Sequence, residues 1–220
     1  MLSSRERLQE RQGQYAAPRH EYLQQLVDEF QRSPDILRKE EVVANLANFA
    51  YDPINYASLG RLRTMDLFLD ILDADQEQEQ DAGGSNQAAL QQQGPATTPT
   101  NRSSRKYQLV EFALGGICNC IPDPQLQQQF IDGDGVEIVA PYVLDIKLQS
   151  ELQTSSEVNI SVSAVTIMYF LLDSSAFPAV TTERFSTQMS TLQLHPVVQI
   201  ANTAAAFLTR HQELLATTST

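Results

Sequence analysis

Residue types that carry catalysis or hold metals are few in this sequence and poorly placed to act together. Cys118 and Cys120 stand two apart inside an apolar run, a spacing at which helical side chains point in different directions. No disulfide between them is expected, and buried, unreactive thiols are the stronger reading. Structural zinc needs four convergent ligands, and His20, His195 and His211 lie far from the cysteines and from one another in sequence. Asp132-Gly133-Asp134-Gly135 opens like a calcium loop, but Val136 and Glu137 occupy the places of the next ligand and the required glycine. Gly133 and Gly135 read instead as a turn between two helices, where a positive φ is tolerated. The pair Glu40-Glu41 falls on an exposed helix face, the usual place of solvated charge. No G-x-S-x-G, P-loop or H-E-x-x-H occurs. The expectation is a chain with no catalytic residues, no metal and no cofactor, so its chemistry is that of binding.

The elements that would position binding groups are helical. Of 220 residues 42% are hydrophobic but only 7% aromatic, with no Trp, so the core is built from Leu, Val, Ile and Ala with nine Phe, a composition that suits helices better than an aromatic-rich β-sandwich. Acidic residues outnumber basic ones by 27 to 15, and the net charge of −12 opposes the phosphate neutralisation that drives autonomous nucleic-acid binding. The first twenty residues hold Arg5, Arg7, Arg11 and Arg19 and no apolar stretch, so no secretory leader is expected. Nor does any run approach the roughly 20 apolar residues of a membrane span. The expected compartment is cytosol or nucleus, which makes Asn101-Arg-Ser and Asn159-Ile-Ser chance glycosylation matches.

Along the chain the spacing predicts a flexible tail over 1–20, a helical domain over 21–216 and a frayed end at 217–220. From 74 to 105, QEQEQ, Gly-Gly, QQQ and Pro, Thr and Ser replace the apolar periodicity. Such a stretch cannot bury enough surface to offset its ordering entropy and reads as a disordered insert within one domain. A smaller polar gap lies around 149–156. Tyr22, Leu23, Leu26, Val27 and Phe30 repeat at helical spacing, and Ser33-Pro34-Asp35 separates them from a helix over about 36–51. That second helix gathers Val42, Val43, Leu46, Phe49 and Ala50 on one side and Asn45, Asn48 and Asp52 on another. Asp52-Pro53 ends it and opens short helices over 54–61 and 64–72. After the insert Val110, Ala113, Leu114, Ile117 and Ile121 form another stripe, broken at Pro122-Asp123-Pro124.

These breaks repeat. Asn48 pairs with Asn119, and Asp52-Pro53 with Asp123-Pro124, at an offset of 71 residues. Without the insert the offset is close to the roughly 40 to 47 residues of helical solenoid repeats. A third copy spans Val165 to Asp173, with Tyr169 at the Asn position and Asp173 again closing the helix. One such unit cannot bury its apolar face until a neighbour stacks on it, and the length fits about three repeats plus a terminal capping helix from Pro196 to about Leu215.

The runs VVANLANFAYDPINY (42–56), LVEFALGGICN (109–119), DGVEIVAPYVL (134–144) and SAVTIM (163–168) resemble the armadillo repeat-containing protein 7 family in order and helical context. The resemblance covers Tyr22 to Leu72 and Tyr107 to about Leu172, with a weaker match from Pro196 to Leu208. It implies an all-α, armadillo-like solenoid acting as a non-catalytic scaffold subunit of the minor spliceosome in the nucleus, with the cytoplasm also open. The partner it implies is an RNA-recognition-motif protein, with small nuclear RNA engaged through that complex. A generic armadillo peptide-binding adaptor outside splicing is the alternative. The Gln-rich insert, the longer loop before Val158 and the Thr-rich C-terminus depart from the family.

In armadillo folds the third helix of each repeat lines the concave surface, where Asn can pair both donors and acceptors of an extended partner. The resemblance thus puts Asn45, Asn48 and Asn119 in partner-binding positions, with capping of helix ends or tying of repeats as the competing role. Tyr51, Asp52 and Tyr56 cluster at the first repeat junction, where a Tyr can anchor a partner with ring and hydroxyl; rings packed between repeats, with Asp52 as a cap, are the competing role there. Gly115-Gly116 in mid-helix costs up to about 1 kcal/mol per residue relative to Ala. Close approach of a neighbouring helix would offset that cost, or Gly116, which aligns with Asn45, would open a notch for a partner side chain. The tail arginines could touch RNA or only solubilise, and the acidic body suits a basic protein partner.

Overall fold

The computed structural model describes residues 18–84, 99–148 and 154–218, with side chains described for 18–77, 108–148 and 154–217. All regular secondary structure among the described residues is helical. Helix α1 spans Arg19–Arg32 and α2 Ile36–Ala50. A 3-10 turn, Pro53–Asn55, leads into α3 (Tyr56–Arg61), α4 (Thr64–Gly84) and α5 (Pro99–Cys120). Then come α6 (Pro124–Asp132), α7 (Gly135–Val139), α8 (Pro141–Leu144) and α9 (Ser155–Leu171). The chain closes with α10 (Phe177–Val180), α11 (Glu183–Leu192) and α12 (Val198–Thr218).

Short polar side chains set the starts. Asp35 accepts from the Leu37 amide, Asp52 from Ile54, Asp123 from Gln125 and Leu126, and Thr182 from Phe185. Each satisfies donors that the first helical turn leaves without partners. At α9, Thr154 and Glu157 form a reciprocal capping box, so this helix begins inside the gap expected around 149–156.

The packing is that of stacked repeats. Helices α2, α5, α9 and α12 lie against one another in succession, each pair forming one of the main helix contacts of the molecule. Before α5 come α3 and α4, before α9 come α6 to α8, and before α12 come α10 and α11. The chain is therefore a helical-repeat row: a two-helix opening unit, α1 and α2, followed by three units whose last helices stack. Phe68, Phe130 and Phe207, one from each of these three units, are fully buried in one continuous core.

Several boundaries differ from the expected ones. The stretch expected as structureless over 74–105 is helical to Gly84 and again from Pro99; residues 85–98 lie outside the described residues. Gln and Glu cost little in a helix once it is nucleated. The start of this stretch is also anchored, since the Tyr142 hydroxyl donates to Asp75 Oδ2 at 2.9 Å and Gln76 Nε2 to the Ile138 carbonyl at 2.5 Å. The tail expected over 1–20 gives way to helix at Arg19, just after Pro18, and the end expected to fray at 217–220 is helical through Thr218. Helix α12, expected as a lone cap, is the last helix of a full unit, because α10 and α11 precede it.

The turn expected to rely on Gly133 and Gly135 also works differently. Neither glycine has a positive φ; the left-handed residues are Asp134 at 55° and Arg63 at 53°. Those two stand 71 residues apart, the same offset as Asn48 and Asn119, so the turn between first and second helices recurs with its backbone conformation. Arg63 adopts it despite a steric cost of about 1–2 kcal/mol, and its guanidinium lies 2.6 Å from Asp66. Gly135 is needed for space: a Cβ there would come within 2.6 Å of the Phe130 ring and carbonyl.

Candidate protein interface

The residues expected to meet a partner separate into two groups. On α2, Asn45, Asn48 and Tyr51 are exposed, Tyr51 at 62%. Neither asparagine amide has a hydrogen bond to any described residue. With Leu37 at 45% and the exposed Glu41 they extend an open stripe along the helix, at 37, 41, 44, 48 and 51. Those positions share a face at helical spacing. The opposite face, carrying Val42, Val43, Leu46 and Ala50, is buried.

At the next junction the same register is occupied from within. Asn119 Nδ2 donates to the Ala47 carbonyl at 3.1 Å, and the Tyr56 hydroxyl donates to the Asn119 carbonyl at 2.8 Å. Both carbonyls belong to last helical turns, where no intrahelical donor is available. At the end of α2 the Tyr51 amide bonds Asn48 O instead of Ala47 O, which leaves Ala47 O for Asn119. Asn119 and Tyr56 therefore tie repeats together, which is the competing role expected of them beside partner contact. Burial first, with the Asp123 and Asp52 carboxylates adding to it, raises the Tyr56 phenol above its ordinary value, so the hydroxyl stays a donor. Asp52 caps the 3-10 turn.

The two mid-helix glycines differ, and close approach of a neighbouring helix holds at one of them. Gly116 is buried, and a Cβ there would stand 2.5 Å from the fully buried Phe68 ring, so it opens no notch for a partner. Gly115 has open space, with nothing within 4 Å of an added Cβ. It aligns with Ala44 on the α2 stripe at the 71-residue offset.

Tyr56 has counterparts that composition does not disclose. Gln127, 71 residues on, donates to the Phe170 carbonyl at 3.2 Å, and Phe177, 50 residues further, sets its ring edge-on to His211 at 5.7 Å. Other glutamines perform the same service: Gln129 bonds Gly60 O, and Gln188 bonds Val143 O and Ile146 O. Asp173 departs from its aligned partners, pairing with Arg210 at 2.6 Å instead of capping a helix, while Ser174 accepts from the Ala176 amide.

The thiols are held neutral. Burial pushes Cys118 up to about 11 and Cys120 up to about 12, and Cys120 Sγ reaches the Gly116 carbonyl at 3.2 Å. A thiolate is the reactive form, so neither is primed as a nucleophile at neutral pH. Among the described residues no three His, Cys, Asp or Glu side chains converge as metal ligands, and no helix is long and apolar enough to cross a membrane.

Comparison with known proteins agrees with the repeat architecture. The chain is similar to armadillo repeat-containing protein 7 of Mus musculus, 39% identical over 97 residues that make up 44% of this chain. The match spans about a third, 34%, of that relative's own length. No family model matches the chain.

Proposed function

We propose that this chain is a non-catalytic scaffold subunit of the minor spliceosome, binding an RNA-recognition-motif protein and, through it, supporting engagement of a small nuclear RNA in pre-mRNA splicing in the nucleus. The observation that carries this reading is the 39% identity to armadillo repeat-containing protein 7, together with the family runs at 42–56 and 109–119. Two further observations support it. The polar groups of the inner junctions are spent on the fold, whereas α2 keeps exposed amides and a Tyr, the residue types of a protein interface. The net charge of −12 favours RNA contact through a basic partner over contact by this chain.

The test is purification of the tagged full chain from its own cells at near-physiological salt, with recovered proteins read by mass spectrometry and RNA by sequencing. Enrichment of an RNA-recognition-motif protein with minor-spliceosomal small nuclear RNA is the expected result. Protein partners without spliceosomal RNA would instead favour an armadillo adaptor outside splicing.

A further inference from the structure

From the open face of α5 we infer that Glu111 and Gly115 form a subsite for a lysine or arginine side chain of a protein partner, its stem on the bare backbone at Gly115 and its cation on the Glu111 carboxylate. The inference deepens the adaptor reading by naming the chemistry that a partner brings; it rests on that reading but not on the splicing role.

The fold makes no use of Gly115. Gly116 leaves room for the Phe68 ring, whereas a Cβ at Gly115 would meet nothing within 4 Å. Among the described residues no glycine has a positive φ, so alanine would fit at this position and would suit the helix better. A helical glycine with open space above it is a place where another chain can come down to the backbone. Glu111 stands one turn before it on the same face, at the i and i+4 spacing.

The carboxylate beside this floor is oriented but not neutralised. Asn159 of α9 donates from Nδ2 to Glu111 Oε1 at 2.7 Å, which fixes the group and leaves its charge. Glu29, Glu41, Asp66 and Asp173 each pair with an arginine; no ion pair to Glu111 forms among the described residues. One turn beyond Gly115, Asn119 is held to α2 through the Ala47 carbonyl. Helix α5 is thus tied to α9 on one side of the glycine and to α2 on the other, so floor and carboxylate stand in place before a partner arrives. The stem of a lysine or arginine covers the about 6 Å of helix between the two residues. On α2 the residue aligned with Glu111, Glu40, is buried, so the first unit does not repeat the arrangement. The net charge of −12 also draws a basic partner rather than an acidic one.

Site-specific photo-crosslinking of the full chain in its own cells tests this. A benzophenone amino acid replaces Gln108 or Pro122, exposed residues that flank Gly115 along α5 and its exit turn, with Tyr51 on α2 and Thr209 on α12 for comparison, and crosslinked residues are mapped by mass spectrometry. Crosslinks from Gln108 and Pro122 to one protein segment, with a Lys or Arg between the two mapped points, are expected. Glu111→Lys should lower their yield about tenfold, and changing the mapped partner Lys or Arg to Glu should restore it, because like charges repel and the exchange pairs them again. Gly115→Leu should also lower the yield, by filling the floor, at a urea midpoint no lower than the parent's; that separates a blocked subsite from a damaged fold. A mapped segment without Lys or Arg, unchanged yields in both variants, or protein crosslinks from Tyr51 or Thr209 alone would overturn the inference and leave the adaptor reading standing. Crosslinks to RNA only, or no protein crosslink at any of the four positions, would overturn both.

Discussion

Asn48 and Asn119 occupy the same repeat position, yet one amide is exposed on α2 and the other is bonded 3.1 Å from a neighbouring carbonyl. The difference lies in what precedes each helix. Ahead of α5 stands α2, whose tightened last turn leaves the Ala47 carbonyl unspent; ahead of α2 no described helix occupies the row. A repeat position thus has no fixed role. The amide that ties two repeats together at α5 has no described neighbour to bind at α2.

Substitutions can break or sharpen this contrast. The largest effect is expected at the glycines. Gly116→Val drives side-chain atoms into the fully buried Phe68 ring and should cost about 1–3 kcal/mol or more. Gly115→Ala, in open space, should gain up to about 1 kcal/mol from helix propensity. Chemical denaturation of the two variants reads both signs. Asn119→Ala comes next, at about 1–3 kcal/mol, because the half-buried Ala47 carbonyl region loses its donor; Asn48→Ala should stay within about 0.5 kcal/mol.

Tyr56→Phe removes the donor to Asn119 O and should cost about 0.5–1.5 kcal/mol. It should also change the pH profile. The folded phenol is raised above its ordinary value of 10.0, so its stabilising contribution is complete below that pH and is lost as pH rises through the higher folded value. Stability measured from pH 9 to 11 should fall more steeply in the parent chain than in Tyr56→Phe. Among the aligned aspartates, Asp123→Ala removes a cap and should lower stability by about 0.5–2 kcal/mol. Asp173→Ala, losing an exposed pair with Arg210, should have the smaller effect of the two, fading as salt is raised.

The sequence discloses the repeat because its punctuation is local. Asp35, Asp52-Pro53 and Asp123-Pro124 act within a few residues of themselves, and the apolar stripes at 42–50 and 110–121 face the core as their spacing requires. Long-range partners decide what spacing cannot. Which of Gly115 and Gly116 is covered depends on Phe68, in another helix; what Asn119 binds depends on a carbonyl 72 residues away. Helix α10, four residues long, carries too few turns to show a periodic stripe, whereas α11 buries one at Phe185, Met189 and Leu192. The helix through 74–84 is polar, so its apolar pattern fades before the backbone changes. For Asn119 and Tyr56 the sequence leaves two roles open, partner contact and tying of repeats, and only their long-range bonds to Ala47 O and Asn119 O bring out the second.

The most direct test is equilibrium urea unfolding of Asn48→Ala beside Asn119→Ala. A lower midpoint for Asn119→Ala at unchanged slope, with Asn48→Ala overlaying the parent, is the predicted result. Equal losses in the two variants, or a larger one for Asn48→Ala, would contradict the division between a closed inner junction and an open first face.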